Sequence, residues 1–238
     1  MKVLTMTRRA AFAAAVAFAT AACSQAGGET VNATSGAALE TRFVEKGIEY
    51  GSPDAPVTLV EYASLTCGHC KTFHETVVPT IKEKYVETGK VKFVFREFPT
   101  PPVQIALAGF VTARCVGEPG HLSVLDDFFA NQDEIFEATR AGQAEAALIA
   151  LAGRHGLSET QFRDCLADLD IRRDIAASIE AGEAQGVNST PTLILDGEKL
   201  GSIESRTVEG LSALIDARLA AIGEIETEVT TAPESGEQ

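Results

Sequence analysis

The sequence contains no tryptophan, only two methionines and only four histidines among its 238 residues. Basic residues are also few, because 20 Lys and Arg stand against 34 Asp and Glu and give a formal net charge of −14. A chain this acidic lacks the basic surface that nucleic acids and anionic membranes attract, so we expect neither as its main partner. After the first 22 residues, no apolar run is long enough to span a bilayer.

The first 22 residues have the pattern of an export signal. Lys2, Arg8 and Arg9 give a positive start, and residues 10–22 are almost wholly small and apolar. This stretch is too short to span a membrane and ends in small residues, as a cleavable secretory signal does. Arg8-Arg9 also fits a twin-arginine signal, so the export route stays open. Because the segment holds three basic and no acidic residues, its removal takes the formal charge from −14 to −17.

Cys23, directly after the signal, has two interpretations. It is either a lipoprotein cysteine, cleaved at its own amino group and acylated, or a cysteine near a cleavage site that is removed with the signal or left as a spare thiol. An exposed free thiol is a liability in an oxidising compartment, which favours lipidation or removal. The composition of residues 23–42 predicts a flexible linker, residues 43–222 are long enough for one domain, and residues 223–238 predict a disordered acidic tail.

Cysteine usage is informative once the export signal is recognised. Apart from Cys23 the chain has four cysteines, namely Cys67, Cys70, Cys115 and Cys165. An exported protein meets an oxidising compartment, in which an even set of cysteines suggests disulfides. Two of the four are close neighbours in sequence and two are far apart, so we expect the two pairs to have different roles.

The pattern around the close pair predicts a strand, a helix and a second strand. Residues 57–63 are rich in strand formers, and apolar residues then recur at helical spacing from the cysteine pair to Tyr85. Pro79 predicts a kink in this helix, since proline lacks the backbone donor and crowds the preceding turn. Residues 91–98 alternate as a strand does, which completes a βαβ unit.

The middle of the chain is helical, and strand signals return near its end. Residues 103–185 are rich in Ala, Leu and Glu and predict four or five helices. Residues 192–200 predict a hairpin around the turn pair Asp196-Gly197, and residues 205–221 predict a last helix. The outline is therefore α/β: a βαβ half and a ββα half with a helical block between them.

The motif Cys67-Gly68-His69-Cys70 admits several chemistries. Thiolates at this spacing bind zinc, but a structural zinc site needs four ligands and the sequence has no second such pair. Haem attachment needs a histidine directly after the second cysteine, where this chain has Lys71. An inert structural disulfide also fits the motif. Redox chemistry needs only the pair, and we predict redox chemistry here.

The predicted start of a helix at this motif favours redox chemistry. Free backbone N–H groups and the helix dipole would stabilise a thiolate at Cys67 and make it the attacking group. His69 is a further candidate, because a positive charge or a hydrogen bond from its ring would stabilise the same thiolate. Cys70, one turn further along, would be more buried and would resolve the mixed disulfide.

Together these features resemble the bacterial DsbA family of the thioredoxin superfamily. The resemblance rests on the strand at residues 57–63, the Cys67-Gly68-His69-Cys70 motif, the kinked helix, the helical insertion and Thr190-Pro191 before a strand. It covers residues 43–222. It implies an α/β thioredoxin fold with an inserted helical subdomain at about residues 103–185, and a catalytic pair of cysteines.

The resemblance also implies roles for three residues outside the motif. Pro191 would follow a cis peptide bond and pack beside the two sulfurs, and Thr190 would turn its backbone toward an extended peptide substrate. Glu61 would be a buried acid that helps to move protons near Cys70. A solvent-facing position for Glu61 on its strand stays open, because burying a carboxyl is costly unless it is protonated or paired.

The two distant cysteines, Cys115 and Cys165, fall on predicted helices. Buried unpaired thiols are common and inert. In an oxidising compartment, however, we predict a structural disulfide between these two. It would close a loop of about fifty residues and stabilise the fold by ~4 kcal/mol in the chain-entropy model.

Two features differ from the strong oxidants of the DsbA family. The dipeptide Gly68-His69 resembles that of protein disulfide isomerases, where strong DsbA oxidants have Pro-His. Thr190 resembles the bacterial isomerases, where the best-known oxidants have valine. The direction of electron flow therefore stays open between oxidation and isomerisation or reduction.

We expect an exported, periplasmic enzyme that introduces disulfides into secreted or periplasmic proteins through Cys67 and Cys70. The resemblance implies unfolded or partly folded clients with cysteines, a DsbB-like membrane oxidase as partner, and no metal, flavin or nicotinamide cofactor. Only a linker stands where dimeric isomerases carry a dimerisation domain, which favours a monomer. The alternatives are a disulfide isomerase or reductase with the same site, and a binding or chaperone-like module without turnover.

Overall fold

The computed structural model describes residues 47–201 and 203–231. The predicted export signal, the linker at residues 23–42 and the candidate lipidation site Cys23 lie outside the described residues, as do residues 232–238 of the predicted tail. No helix within the described ranges is both long enough and apolar enough to cross a membrane.

A five-stranded mixed sheet, with strand order β1-β3-β2-β4-β5, forms the centre of the described part of the chain. The strands are β1 (Ile48–Tyr50), β2 (Val57–Ala63), β3 (Val91–Glu97), β4 (Thr192–Leu195) and β5 (Glu198–Lys199). β2 and β3 run parallel, whereas the other neighbouring pairs are antiparallel. The predicted strands are confirmed within a residue or two. The three-residue edge strand β1 is additional, because so short a segment carries no periodic signal.

Nine α-helices accompany this sheet within the described residues. They are α1 (Gly68–Thr76), α2 (Val78–Ile81), α3 (Val103–Val116), α4 (His121–Ala130), α5 (Gln132–Arg140), α6 (Ala144–Arg154), α7 (Glu159–Ala167), α8 (Leu169–Ala184) and α9 (Val208–Thr231). A π-helical turn (Lys82–Val86) follows α2, and a 3₁₀ turn (Ile203–Arg206) precedes α9. The order β2, α1, α2, β3 confirms the predicted βαβ unit, and α3 to α8 form the predicted insertion.

The predicted kink falls at Val77, two residues before the proline. The N–H of Val77 donates to the carbonyl of Phe73 and ends α1, and α2 begins at Val78 with Pro79 in its first turn. Proline is tolerated in a first turn because the N–H that it lacks would have no partner within the helix there. The break therefore separates α1, which carries the cysteine pair, from the turns that return the chain to β3.

The insertion holds six helices within the described residues 103–184, where the sequence pattern predicted four or five. The additional break lies at Asn131, between α4 and α5. Its side-chain amide donates to both the carbonyl and the carboxylate of Asp127, which caps the end of α4. Neither glycine nor proline marks this break, so the helical periodicity runs across it.

The last helix is longer than predicted, because α9 continues to Thr231. The prediction of a disordered tail from residue 223 is therefore corrected for residues 223–231, which are helical. Residues 224–231 contain neither glycine nor proline, and the first helix-breaking residue is Pro233. Acidic composition alone indicated a tail, but glutamate is a good helix former.

The burial of β2 changes along the strand and sets up the site. Burial alternates from Val57 to Val60, and then Glu61, Tyr62 and Ala63 are all buried. Both faces of the sheet are covered at this end, since the backbone of α8 at Gly182 packs closely against the ring of Tyr62. A carboxyl group is thereby enclosed on the strand that leads into the cysteine motif.

Candidate active site

The two cysteines of the motif lie where β2 leads into α1. Cys67 is the half-buried N-cap residue of α1, and Cys70 is fully buried in the first turn. Both are free thiols. The backbone N–H of Cys67 donates to the carbonyl of Ser64, and the N–H of Lys71 donates to the carbonyl of Cys67. One sulfur is thus accessible at a helix N-terminus and the other lies beneath it.

The thiol of Cys67 is a strong acid for a cysteine. A hydrogen bond from the side chain of Cys70 is the largest influence that lowers its pKa, to about 5, while burial opposes the shift. The side chain of Thr190 and the backbone N–H groups of Cys70 and His69 add to the lowering. Cys67 is therefore a thiolate at neutral pH, the form that attacks a disulfide.

Cys70 has the opposite character. Burial is the largest influence that raises its pKa well above the usual range, followed by the hydrogen bond to Cys67 and the negative charges of Glu61 and Cys67. Cys70 consequently keeps its proton and donates it in the hydrogen bond to Cys67. The two titrations are coupled, since each sulfur sets the environment of the other.

The loop before β4 places Thr190 and Pro191 against Cys67. The Thr190-Pro191 peptide bond is cis, as the resemblance implied, and the Cys67 sulfur lies 3.4 Å from the carbonyl oxygen of Thr190. β4 pairs antiparallel with β2, with Leu193 opposite Glu61. The sheet therefore holds the loop and the cysteine motif in one place although they are far apart in sequence.

Glu61 is fully buried, so a solvent-facing position is excluded. Its Oε2 accepts a hydrogen bond from Nε2 of His74 at 2.9 Å, and His74 is itself 6% exposed. The ring of Phe129 lies against the imidazole, with the centroids 4.4 Å apart. The sequence pattern gave no role to His74, although its spacing of four from Cys70 places both on one face of α1.

His69 is exposed, and it influences Cys67 through its backbone N–H. The backbone N–H thus contributes to the low pKa of Cys67, and the stabilisation of the thiolate by the imidazole stays a prediction. His69 lines a surface groove of about 300 Å³ with Phe73, Ile203 and Arg206. Ile203 is 80% exposed, which is unusual for a large apolar residue.

Gln132 is a further residue that the sequence pattern did not identify. Its side-chain amide donates to the carbonyl of Leu65 at 2.7 Å and to the carbonyl of Cys67 at 3.3 Å, and the residue is 2% exposed. A single glutamine at the start of α5 gives no periodic or motif signal. Through its two hydrogen bonds, Gln132 connects the helical insertion to the turn that carries Cys67.

The distant cysteines form the predicted disulfide. Cys115 on α3 and Cys165 on α7 are bonded, with their Cα atoms 6.1 Å apart. The bond joins two helices of the insertion and leaves the motif pair as the free cysteines of the described chain. Within the same described residues, no group of three or more His, Cys, Asp or Glu side chains is arranged to hold a metal ion.

Comparison with known families decides the assignment. A family model described as thioredoxin matches residues 44–217, which is most of the chain. The chain belongs to the thioredoxin family. Within this thioredoxin-family protein the match includes the sheet, the cysteine motif and the helical insertion.

Relatives of this thioredoxin-family protein carry related names. A Rickettsia bellii protein provisionally named a protein-disulfide oxidoreductase is 27% identical over 173 residues, which cover 72% of this chain and 64% of that protein. A Bacillus cereus protein provisionally named disulfide bond formation protein D is 27% identical over 153 residues, 62% of this chain and 68% of that protein. The chain therefore spans slightly less than two thirds of the length of its Rickettsia relative.

A solved structure supports the same branch of the family. The crystal structure of Wolbachia pipientis α-DsbA1 superposes with a TM-score of 0.66 and 26% identity, and the match covers 74% of this chain and 93% of that one. The predicted resemblance to DsbA proteins and the predicted thioredoxin fold with a helical insertion are confirmed.

Proposed function

We propose that this chain is a thiol–disulfide oxidoreductase that introduces disulfides into exported proteins through Cys67 and Cys70. The observation that carries the proposal is the pairing of an acidic, accessible Cys67 with a buried, protonated Cys70. A stabilised thiolate favours the reduced form of the enzyme, which makes its disulfide a good oxidant. The names of its relatives support the same chemistry.

The geometry supports a two-step exchange. A client thiolate attacks the Cys67 sulfur of the oxidised pair, the bond to Cys70 breaks, and Cys70 leaves as a thiolate that takes up a proton. A second client thiolate then attacks the client sulfur of this mixed disulfide. Cys67 leaves as a thiolate, and its low pKa makes it a good leaving group. The client gains one disulfide and the enzyme gains two electrons and a proton.

The surface around Cys67 has features suited to clients and to a redox partner. The backbone of Thr190 faces the sulfur, and the groove that His69 and Ile203 line presents an apolar side chain to solvent. We propose that clients, and a DsbB-like membrane oxidase that restores the disulfide, bind at this surface. Slower reoxidation of Ile203→Glu by membranes that contain the oxidase would support this; an unchanged rate would contradict it.

Export to the periplasm is part of the proposal. The N-terminal pattern supports it, and the Cys115–Cys165 disulfide is typical of an oxidising compartment. Cell fractionation tests the location. The mass of the mature wild type, compared with that of Cys23→Ala, distinguishes a lipid anchor from simple cleavage. We propose that the protein acts as a monomer and needs neither a metal nor an organic cofactor. Its mass in solution tests the first claim, and the activity of the metal-free protein tests the second.

Oxidative folding of a reduced client tests the function directly. The oxidised protein should restore the activity of an unfolded, reduced protein that needs its disulfides, and Cys67→Ser should not. Cys70→Ser should also fail to oxidise the reduced client, but it should accumulate a mixed disulfide with a client that already carries a disulfide, because the Cys67 thiolate attacks that bond and no second enzyme thiol resolves the product. Repair of a client with wrong disulfides, without oxidation of a reduced one, would instead identify an isomerase. Full function of Cys67→Ser would identify a binding module.

A further inference from the structure

A buried ionisable pair lies beneath the inner cysteine. The side chains of Glu61 and His74 are 0% and 2% exposed and meet at 2.9 Å. A buried carboxylate is costly without a charged partner, and it normally takes up a proton instead. Oε1 of Glu61 has no hydrogen-bond partner, so the bond to His74 is what stabilises the charge on this side chain.

The surroundings of His74 favour its charged form. Glu61 on β2 faces Nε2, and the half-exposed Asp126 on α4 lies 3.8 Å from Nδ1. Burial is the largest influence and lowers the pKa of His74, but Glu61 and Asp126 together raise it to about 9. His74 also lines a surface cavity of about 260 Å³, together with Glu75 on α1 and Lys82 in the π-helical turn. Solvent protons can therefore reach the imidazole through this cavity.

We propose that His74 is a positioning residue for the redox pair: its positive charge keeps Glu61 ionised, and the charge of Glu61 keeps Cys70 protonated. The inference rests on the proposed thiol–disulfide function of Cys67 and Cys70. His74 acts through Glu61 and touches neither sulfur in this account.

The charge of Glu61 matters to both sulfurs. It is one of the influences that raise the pKa of Cys70, after burial and the hydrogen bond to Cys67. A protonated Cys70 is also the donor of the hydrogen bond that most lowers the pKa of Cys67. Loss of the imidazolium should therefore protonate Glu61, weaken the hold of Cys70 on its proton and change the coupled titration of the two thiols.

Infrared spectroscopy of His74→Gln tests the first step. Glutamine retains an N–H donor for Glu61 but carries no charge, so it separates the charge from the hydrogen bond. At neutral pH the variant should show the carbonyl band of a protonated carboxyl that the wild type lacks, and the double variant His74→Gln/Glu61→Gln should lose this band again. A His74→Gln spectrum identical to that of the wild type would overturn the proposal.

The equilibrium with glutathione across the pH range tests the second step. In the wild type the equilibrium constant should rise about tenfold per pH unit above the pKa of Cys67, because reduction of the enzyme takes up one proton there while oxidation of two glutathione thiols releases two. His74→Gln should add a second break where Glu61 titrates, and the break should vanish in the Glu61→Gln background. A break that persists there would show that His74 acts on its own and would overturn the proposal.

Two further variants keep the test independent of folding defects. His155→Gln removes another His–Asp pair, since Nε2 of His155 lies 2.8 Å from Asp127, and neither residue is among the groups that shift the pKa of Cys67 or Cys70, so it should leave the pH profile unchanged. Asp126→Asn, at a half-exposed position, should move the break in the direction of His74→Gln but less. If the wild type failed to form a reversible Cys67–Cys70 disulfide, the proposed function would be refuted. If the wild type showed the expected pH dependence of the glutathione equilibrium and His74→Gln left it unchanged, only this inference would be refuted.

Discussion

The sulfur of Cys67 lies 3.4 Å from the carbonyl oxygen of Thr190, a residue 123 positions away in the chain. The side chain of the same threonine also lowers the pKa of Cys67. Thr190 thus faces the reactive sulfur with both its backbone and its side chain. The residue before the cis proline can therefore tune the acidity of Cys67 without forming part of the cysteine motif.

Thr190→Val should raise the pKa of Cys67 from about 5 and make the enzyme disulfide a weaker oxidant. Valine retains the shape and the backbone of the site but removes the hydrogen bond from the side chain, which stabilises the thiolate. The titration of thiolate absorbance measures the pKa, and the expected shift is about one unit.

Thr192→Val is the matched control for that variant. The hydroxyl of Thr192 donates to the carbonyl of Ser189 at 2.7 Å in the same loop. The Thr192→Val substitution should lower the stability of the fold slightly and leave the pKa of Cys67 unchanged. Equal shifts in the two variants would mean that the loop, and not the side chain of Thr190, sets the acidity.

Cys70→Ala and Cys70→Ser should differ in their effect on Cys67. The hydrogen bond from Cys70 is the largest influence that lowers the pKa of Cys67, and serine can still donate such a bond while alanine cannot. Alanine should therefore raise the pKa by about one unit more than serine does. The pH dependence of alkylation at Cys67 measures both, and identical profiles would contradict the assigned hydrogen bond.

The reduced protein should gain stability over Cys67→Ser as the pH rises from about 5 to 9. The pKa of Cys67 is lower in the folded than in the unfolded state, so the folded state binds fewer protons in this window and its stability rises with pH. The gain is lost as the pH falls through about 5. Above the ordinary pKa of a thiol the raised pKa of Cys70 acts in the opposite direction. Urea unfolding of both proteins, with the Cys115–Cys165 bond intact, measures the difference.

Loss of the Cys115–Cys165 disulfide should affect stability more than redox chemistry. The bond closes a loop with a sequence separation of 50, and the double variant Cys115→Ala/Cys165→Ala should lose about 2–4 kcal/mol of unfolding free energy. The pKa of Cys67 should stay near its wild-type value, because neither cysteine is among the groups that shift it. A large shift would reveal coupling between the insertion and the motif.

Local sequence signals predicted most of the scaffold. The strand at Val57–Ala63 and the strand at Thr192–Leu195 carry strong β propensity, and glycine, proline or the Asp196-Gly197 turn mark the ends of several elements. The break at Asn131 was missed because capping by its own side chain replaced those signals. The extension of α9 has no clear signal in the sequence, because its acidic composition fits a disordered tail as well as a helix.

The candidate site was predictable only in part. The cysteine motif and Thr190-Pro191 are recognisable as short patterns. The partners of Glu61 and Cys67 depend on tertiary packing: His74 and Gln132 contact them from α1 and α5. Single polar residues on helices resemble any solvated residue in sequence. The role of the His69 ring stays a prediction, and the contribution of the His69 backbone N–H to the low pKa of Cys67 depends on helix geometry that no single residue signals.

The reduction potential of the Cys67–Cys70 pair, measured at equilibrium with glutathione, tests the central claim most directly. An acidic Cys67 beside a protonated Cys70 stabilises the reduced form, so we expect an oxidising value near about −120 mV, characteristic of a disulfide donor. A value near about −270 mV, as in a thioredoxin-like reductant, would contradict the account.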